Sequence, residues 1–231
     1  LVYIDLRGNG LSSRTSPDTY TLEQMADDLE TLRRYLGLDK ISLLGHSFGG
    51  MLAQVYATIY PGNISKLILV TTTSHGGFLT EQNDESNNVS QATLTKEQLE
   101  MSPTLFEGRL KDDVELKKWW DIMIPLYFHN TKKEILDQMI GRITTALDVT
   151  NTMYAKEGLP KYDVREKLKN LNIETLIIAA EHDWILPPKH SELINNLLTN
   201  STLKIFNNSG HFPFIEENTT FNEEIINFMN A

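Results

Sequence analysis

Three side chains in this sequence have the types and the placement for nucleophilic acyl chemistry: Ser47, Asp183 and His211. A serine hydroxyl attacks a carbonyl only when a base takes its proton, and that base is held in one tautomer by an acid. Ser47 lies in Gly45-His46-Ser47-Phe48-Gly49, a Gly-x-Ser-x-Gly pattern. Ile41, Leu43 and Leu44 before it read as a buried strand; Met51, Leu52, Val55, Tyr56 and Ile59 after it recur at helical spacing. Strand, sharp turn and helix are the setting of a nucleophile elbow; without it, the pattern is an ordinary Gly/Ser turn. A bulky residue two positions before or after such a serine collides with neighbouring elements, so Gly45 and Gly49 are expected to relieve the crowding. The helix start also brings backbone N–H groups and the positive end of its dipole to the serine oxygen.

The base and acid should come from loops at the strand C-termini, which converge on one edge of an open parallel sheet. Asp183 lies in Glu181-His-Asp-Trp-Ile-Leu-Pro-Pro188, directly after the apolar run Glu174–Ala180. His211 lies in Asn207-Asn-Ser-Gly-His-Phe-Pro213, directly after Thr202–Phe206. The order serine, aspartate, histidine suits this architecture. The loop after Val70 (Thr71-Thr-Thr-Ser-His75) carries no carboxylate, which removes the other usual place for the acid. Among the competing histidines, His46 is inside the elbow and faces away from the work of a base. His75, His129 and His190 fall at positions where a histidine is ordinarily a surface residue. His182 adjoins Asp183 but leaves His211 unexplained.

The elements that must position these groups follow in order. Leu1–Ile4 reads as a strand entering the turn-rich loop Asp5–Ser12, in which Asp5 and Arg7 are placed to pair. Thr21-Leu-Glu-Gln24 fits a capping box, and its helix ends near Gly37. Lys66–Thr71 is a further buried strand. From about Thr72 to Lys169 the alternation stops. Glu81–Gln98 is polar and reads as a mobile loop, and Val114–Ile124 and Lys132–Leu147 read as helices. Trp119, Trp120 and Pro125-Leu-Tyr-Phe128 form an aromatic cluster, read as the core of that region, with a substrate-pocket wall as the alternative. The alternation then resumes through a helix to about Leu198 and a terminal helix from about Ile215 to Met229. The fold class is α/β: a parallel sheet with helices on both faces and an inserted helical cap. The expected division is a core of residues 1–71 and 170–231 with a cap of residues 72–169.

A length of 231 residues suits one domain with an inserted subdomain. The formal net charge of −10 argues against nucleic-acid binding, which needs a basic face. The chain has no cysteine, so disulfides, thiolate catalysis and cysteine-ligated metals are excluded. No apolar run is long enough to span a membrane and no signal peptide is visible, so the expectation is a cytoplasmic protein without a membrane partner. Nothing in the pattern calls for a cofactor or metal.

Gly-His-Ser-Phe-Gly-Gly with Met-Leu-Ala-Gln, the Glu-His-Asp loop and Gly210-His-Phe-Pro resemble the α/β-hydrolase superfamily. Asp5-Leu-Arg-Gly-Asn-Gly-Leu-Ser12 is similar to the Asp-x-Arg-Gly-x-Gly-x-Ser segment of its proline iminopeptidase-like branch, although esterases and lactonases share similar Arg-Gly segments. The resemblance covers the hydrolase portion well and the cap poorly. Members carry about three strands and a His-Gly-Gly-Pro-Gly-like loop ahead of the segment equivalent to Leu1, and one of those strands lies between the equivalents of Leu1–Ile4 and Ile41–Leu44. The resemblance therefore implies absent N-terminal strands: these residues are part of a longer chain, or another segment completes the sheet. That upstream loop would supply the second oxyanion N–H, the first coming from Phe48.

The resemblance implies hydrolysis through an acyl-enzyme, with Ser47 as nucleophile, His211 as base, Asp183 as its orienting acid and Phe48 in the oxyanion hole. Epoxide hydrolases and dehalogenases use a carboxylate where this chain has Ser47. The expected activity is an aminopeptidase releasing an N-terminal residue, proline by resemblance, from small or short-peptide substrates. The substrate amine would need a carboxylate, for which the cap offers Glu81, Glu97, Glu100, Glu107 and Asp121. A carboxylesterase or lactonase would need none. A non-catalytic binding protein on the same fold is the alternative from another class, and an intact Ser, Asp and His set argues against it.

Overall fold

The computed structural model describes residues 1–79, 94–144, 146–154 and 158–231. Four strands form one sheet: β1 (Ile41–His46), β2 (Ile64–Val70), β3 (Thr175–Ala180) and β4 (Ser201–Phe206), in spatial order β1-β2-β3-β4 and all parallel. Parallel neighbours need crossovers, supplied by α2 (Phe48–Ile59) between β1 and β2 and by α8 (Pro188–Leu197) between β3 and β4. Helix α1 (Leu22–Tyr35) precedes β1, its first turn capped by the Thr21 hydroxyl accepting the Gln24 N–H.

The two faces of the sheet are legible in β2, where side chains alternate at period two. Leu67 and Leu69 join the larger core with α1, α2 and the helices between β2 and β3. Ile68 and Val70 point to the opposite face, with Leu176, Ile178, Phe206 and Phe221. Phe221 comes from α10 (Asn218–Asn230), which follows the short α9 (Pro213–Glu216). Helices thus cover both faces, as parallel sheets require.

Between β2 and β3 lie α3 (Lys96–Phe106), α4 (Asp113–Met123), α5 (Lys133–Arg142), α6 (Leu147–Tyr154) and α7 (Arg165–Leu168). The helix expected over Lys132–Leu147 is two helices. Ile143 turns to φ −65°, ψ 118°, ending α5, and Asp113 Oδ1 accepts the Leu147 N–H at 2.8 Å at the start of α6. Of the expected loop Glu81–Gln98, Thr95 caps α3 in a reciprocal box with Gln98, so its last residues are helical; residues 80–93 lie outside the described residues. Trp119 is fully buried and donates its indole N–H to Met101 O, which makes it core.

Two expectations for the N-terminal segment are corrected. Leu1–Ile4 is not a strand; it is exposed and pairs with none of the four strands, because a strand is defined by a neighbour's ladder and not by its own apolar residues. Strand β1 is accordingly an edge, and Leu44 on it is 47% exposed. Asp5 and Arg7 do not pair. Arg7 forks onto both oxygens of Asp28 in α1 at 2.6 Å, while Asp5 accepts the Leu11 N–H across its own turn. Gly10 permits that turn, since a Cβ there would lie 2.3 Å from the Asp5 carboxyl. No helix among the described residues is long and apolar enough to cross a membrane.

Glu30 binds the α1–α2 layer together. It accepts both Arg33 Nε and Nη2, the Tyr56 hydroxyl at 2.9 Å and Asn63 Nδ2 at 3.0 Å. These donors, led by Arg33, hold its carboxyl down to about 2 from an ordinary 4.5. A depressed carboxylate contributes stability above its unfolded pKa and loses it as pH falls toward its folded one. Glu30→Gln should therefore lower the melting temperature at pH 7 by ~3–10 °C. The gap from the wild type should shrink as pH drops from about 4.5 toward 2, read by thermal unfolding across that range.

Candidate active site

Strands β1, β2 and β3 each pass their ladder one step beyond their own end. Ser47 N–H donates to Val70 O, Thr71 N–H to Ile178 O and Glu181 N–H to Phe206 O, all within 2.9 Å. The loops that leave β1, β2 and β3 are thereby fixed against the neighbouring strand before they diverge. Ser47 and Thr71 are the non-glycine residues at positive φ among the described residues, at 52° and 41°. Such backbone is costly, more so for a β-branched threonine, and persists where surrounding bonds over-determine it. Around Ser47 they do: its carbonyl accepts Gly50 N–H, Met51 N–H and the Thr72 hydroxyl.

The glycines of the elbow divide differently from the expectation. A Cβ on Gly45 would sit 2.2 Å from Gly49 O, a backbone clash that no rotamer relieves. On Gly49, a Cβ would meet nothing within 4 Å among the described residues. Gly50 is the second crowded position, against the Thr72 side chain at 2.6 Å. Phe48 opens α2, and the first intrahelical acceptor, Ser47 O, is taken by Gly50 and Met51, so the Phe48 N–H belongs to the unsatisfied first turn.

Asp183 and His211 meet in the interior. The His211 Nδ1–H donates to Asp183 Oδ2 at 2.7 Å, with the two side chains 3% and 0% exposed. Asp183 Oδ1 accepts the N–H groups of Ile185 and Leu186, both at 3.0 Å, so each carboxylate oxygen has a donor and the acid cannot rotate. With Nδ1–H committed, Nε2 is the basic nitrogen of His211.

The backbone of His211 is held on both sides. Its N–H donates to Tyr127 O at 2.7 Å. Its carbonyl accepts His46 Nε2–H at 2.8 Å and the Thr71 hydroxyl at 3.1 Å. His46 is therefore no competing base but a support for His211, and this bond sets Ser47, its chain neighbour, beside the histidine loop. Desolvation, then the nearby His211, push the pKa of His46 down to about 3. It therefore stays neutral beside the His211 ring, whose centroid is 4.8 Å away. The other histidines also depart in part from expectation. His190 is not at the surface: it is 3% exposed, with Nδ1 against the Thr73 hydroxyl. His129 is exposed, stacked on His182 at 3.5 Å.

An aromatic run leads from His211 into the helices. The Tyr127 ring lies 5.3 Å from His211, 5.5 Å from Trp184 and 5.7 Å from Trp120. Burial, then Tyr154 and Asp183, raise the Tyr127 phenol well above its usual value, and burial lifts Tyr154 to about 12. The carboxylates expected to receive a substrate amine are elsewhere. Glu97 pairs with Lys118, Glu100 with Lys96, Glu107 with Arg109 and Asp121 with Lys117, each on an exposed surface; Glu81 lies outside the described residues. No group of three or more metal-ligating side chains gathers among the described residues.

The chain matches the model of the alpha/beta hydrolase fold family over residues 1–218. A proline iminopeptidase, PfmaB of Pestalotiopsis fici, is 31% identical over 225 residues, covering 94% of this chain and 77% of the relative. The proline iminopeptidase of Lactobacillus crispatus is 29% identical over 231 residues, covering 96% and 78%. Among solved structures, an alpha/beta fold family hydrolase from Bacillus anthracis superposes with a TM-score of 0.78 at 26% identity, covering 97% of this chain and 80% of that one. This chain belongs to the α/β-hydrolase family, and within it is similar to the proline iminopeptidase-like branch.

The elbow geometry makes a pair of substitutions informative. Gly45→Ala should give no cooperatively folded protein, or one at least 10 °C less stable, because the clash is with backbone. Gly49→Ala should fold within about 3 °C of the wild type, as a surface-like change does. Thermal unfolding of both variants checks this.

Proposed function

We propose that this chain is a serine hydrolase acting through an acyl-enzyme, with residues 72–169 as a cap over a core of 1–71 and 170–231. The observation that carries the reading is the buried His211–Asp183 bond beside the strained Ser47 turn. In this scheme Ser47 Oγ attacks the substrate carbonyl carbon while His211 Nε2 accepts its proton. Asp183 keeps Nδ1 protonated and stabilises the imidazolium. The Phe48 N–H receives the oxyanion of the tetrahedral adduct. Collapse breaks the bond to the amine or alcohol, which leaves with the proton from His211. Water then attacks the acyl-enzyme by the same steps in reverse, and the acid product departs. No metal or cofactor enters the scheme.

The substrate proposed is a small peptide or amide from which an N-terminal residue is released, proline by similarity to the named relatives. A second reading, a carboxylesterase or lactonase, is favoured by one observation: Glu97, Glu100, Glu107 and Asp121 are spent in surface ion pairs. A short acyl ester needs no anionic partner for an amine.

Kinetics on a prolyl arylamide and on short acyl esters separates these. On whichever is turned over, Ser47→Ala should lower kcat by about 10⁶. Asp183→Asn should lower it by about 10⁴, because the amide favours the wrong imidazole tautomer. Retention of activity within about tenfold in Ser47→Ala would end the serine-hydrolase reading. A carboxylate bound to the substrate amine makes a charge-assisted bond of ~1.5–3 kcal/mol, so acetylating a prolyl substrate should cut kcat/KM by roughly 10- to 150-fold. Equal rates on the free and acetylated substrates favour the esterase reading.

A further inference from the structure

The loop that carries His211 is held by two consecutive glutamates, and they do different work. Glu217 Oε2 accepts Asn208 N–H at 3.0 Å and the Ser209 hydroxyl at 2.6 Å, both within the loop itself. Glu216 divides its carboxylate between two segments. Its Oε2 accepts Gly210 N–H at 2.6 Å, one residue before His211. Its Oε1 accepts Asn130 N–H at 2.7 Å, from the segment that joins α4 to α5.

Other contacts gather at the same seam. His211 N–H donates to Tyr127 O. The missing side chain of Gly210 admits the Tyr127 carbonyl, which would lie 2.6 Å from a Cβ there. The Phe128 and Phe212 rings stand 4.9 Å apart. Residues 127–130 are thus laid directly against the histidine loop, and among the described residues Glu216 is the side chain whose two oxygens bond both. It projects from the last position of α9, and Ile215, Glu216 and Glu217 each donate an N–H back to Phe212 or Pro213.

We propose that Glu216 is a positioning residue that locks the 127–130 segment to the His211 loop, so that the aromatic wall around Tyr127 and the base keep one fixed relation. It touches neither substrate nor reacting atoms. It acts through His211, and the inference rests on the serine-hydrolase reading above. A glutamine in its place offers one carbonyl oxygen for two N–H donors and turns an NH₂ toward the other, so one half of the tie must open. An aspartate keeps the charge but is one methylene shorter than the span.

The test compares wild type, Glu216→Gln, Glu216→Asp and Glu217→Gln in the same chain. Amide hydrogen exchange reads the tie itself. Glu216→Gln should speed exchange at least tenfold at one or both of Asn130 and Gly210, whereas Glu217→Gln, whose single amide oxygen can still accept from Asn208 and Ser209, should leave Asn130 and Gly210 protected. Kinetics on prolyl p-nitroanilide and p-nitrophenyl acetate reads the consequence. Glu216→Gln should lose about 10- to 100-fold in kcat with KM changed less than threefold, Glu216→Asp a smaller part of that, and Glu217→Gln less than threefold. Unchanged exchange at both Asn130 and Gly210 in Glu216→Gln, or a kcat loss no larger in Glu216→Gln than in Glu217→Gln at equal loss of melting temperature, would overturn the proposal. If Glu216→Gln does not fold, Glu216→Asp decides by the same two readouts. Should Ser47→Ala retain the wild-type rate, the serine reading fails, and the exchange pattern still decides whether the tie exists.

Discussion

The backbone of His211 is the point on which the rest of this site depends. Its N–H is bound to Tyr127 O and its C=O to His46 and Thr71, so the peptide units on both sides of one residue are gripped by β1, by the end of β2 and by the segment before α5. The side chain then has a single productive direction, with Nδ1 on Asp183. None of these partners is interchangeable. The carbonyl can only accept, which fixes His46 as the Nε2–H tautomer, and desolvation holds that ring neutral. A neutral donor thus supports the His211 carbonyl.

The same economy explains where strain is stored. Ser47 and Thr71 sit at positive φ at the ends of adjacent strands, and each donates its N–H to the next strand over. A chain leaving a sheet needs a sharp turn to expose a side chain at the edge, and a left-handed residue makes one at a cost in backbone energy. The ladder bonds that extend past the strand ends compensate that cost. Farther out, Glu30 ties α1 to α2 and to the Pro61–Asn63 turn, which steadies the helix whose first turn faces Ser47.

Much of this arrangement is legible in the sequence where local pattern and local structure coincide. The runs Ile41–Leu44, Lys66–Thr71, Glu174–Ala180 and Thr202–Phe206 are apolar enough to read as strands, and each contains one; β3 is buried throughout and β2 mostly so, while the edge strands β1 and β4 are partly exposed. Asp183 and His211 are legible because each follows such a run directly, and the bond between them follows from topology. Gly45 is legible from the elbow pattern, since the fold there forces backbone against backbone. Gly49 is not, because the same pattern does not say which side of the turn is crowded. Leu1–Ile4 reads as a strand by composition, but strand formation needs a partner that composition cannot report. Asp5 and Arg7 look like a pair by spacing, yet Arg7 is long enough to reach Asp28 in α1, which no local pattern announces. The supporting roles of His46 and Glu216, and the burial of His190, depend on which distant segments are laid against them. Contacts between residues so far apart in sequence leave no periodic trace.

The proposed chemistry makes Ser47 a nucleophile activated by the His211–Asp183 pair. Its most direct measurement is intact-protein and peptide mass spectrometry after reaction with a fluorophosphonate, with the labelling rate followed in wild type and in Asp183→Asn. The expected result is a single stoichiometric adduct on the peptide containing Ser47, formed at least a hundredfold more slowly when Asp183 is replaced. An adduct on another residue, or labelling of Ser47 at the same rate in both proteins, would contradict it.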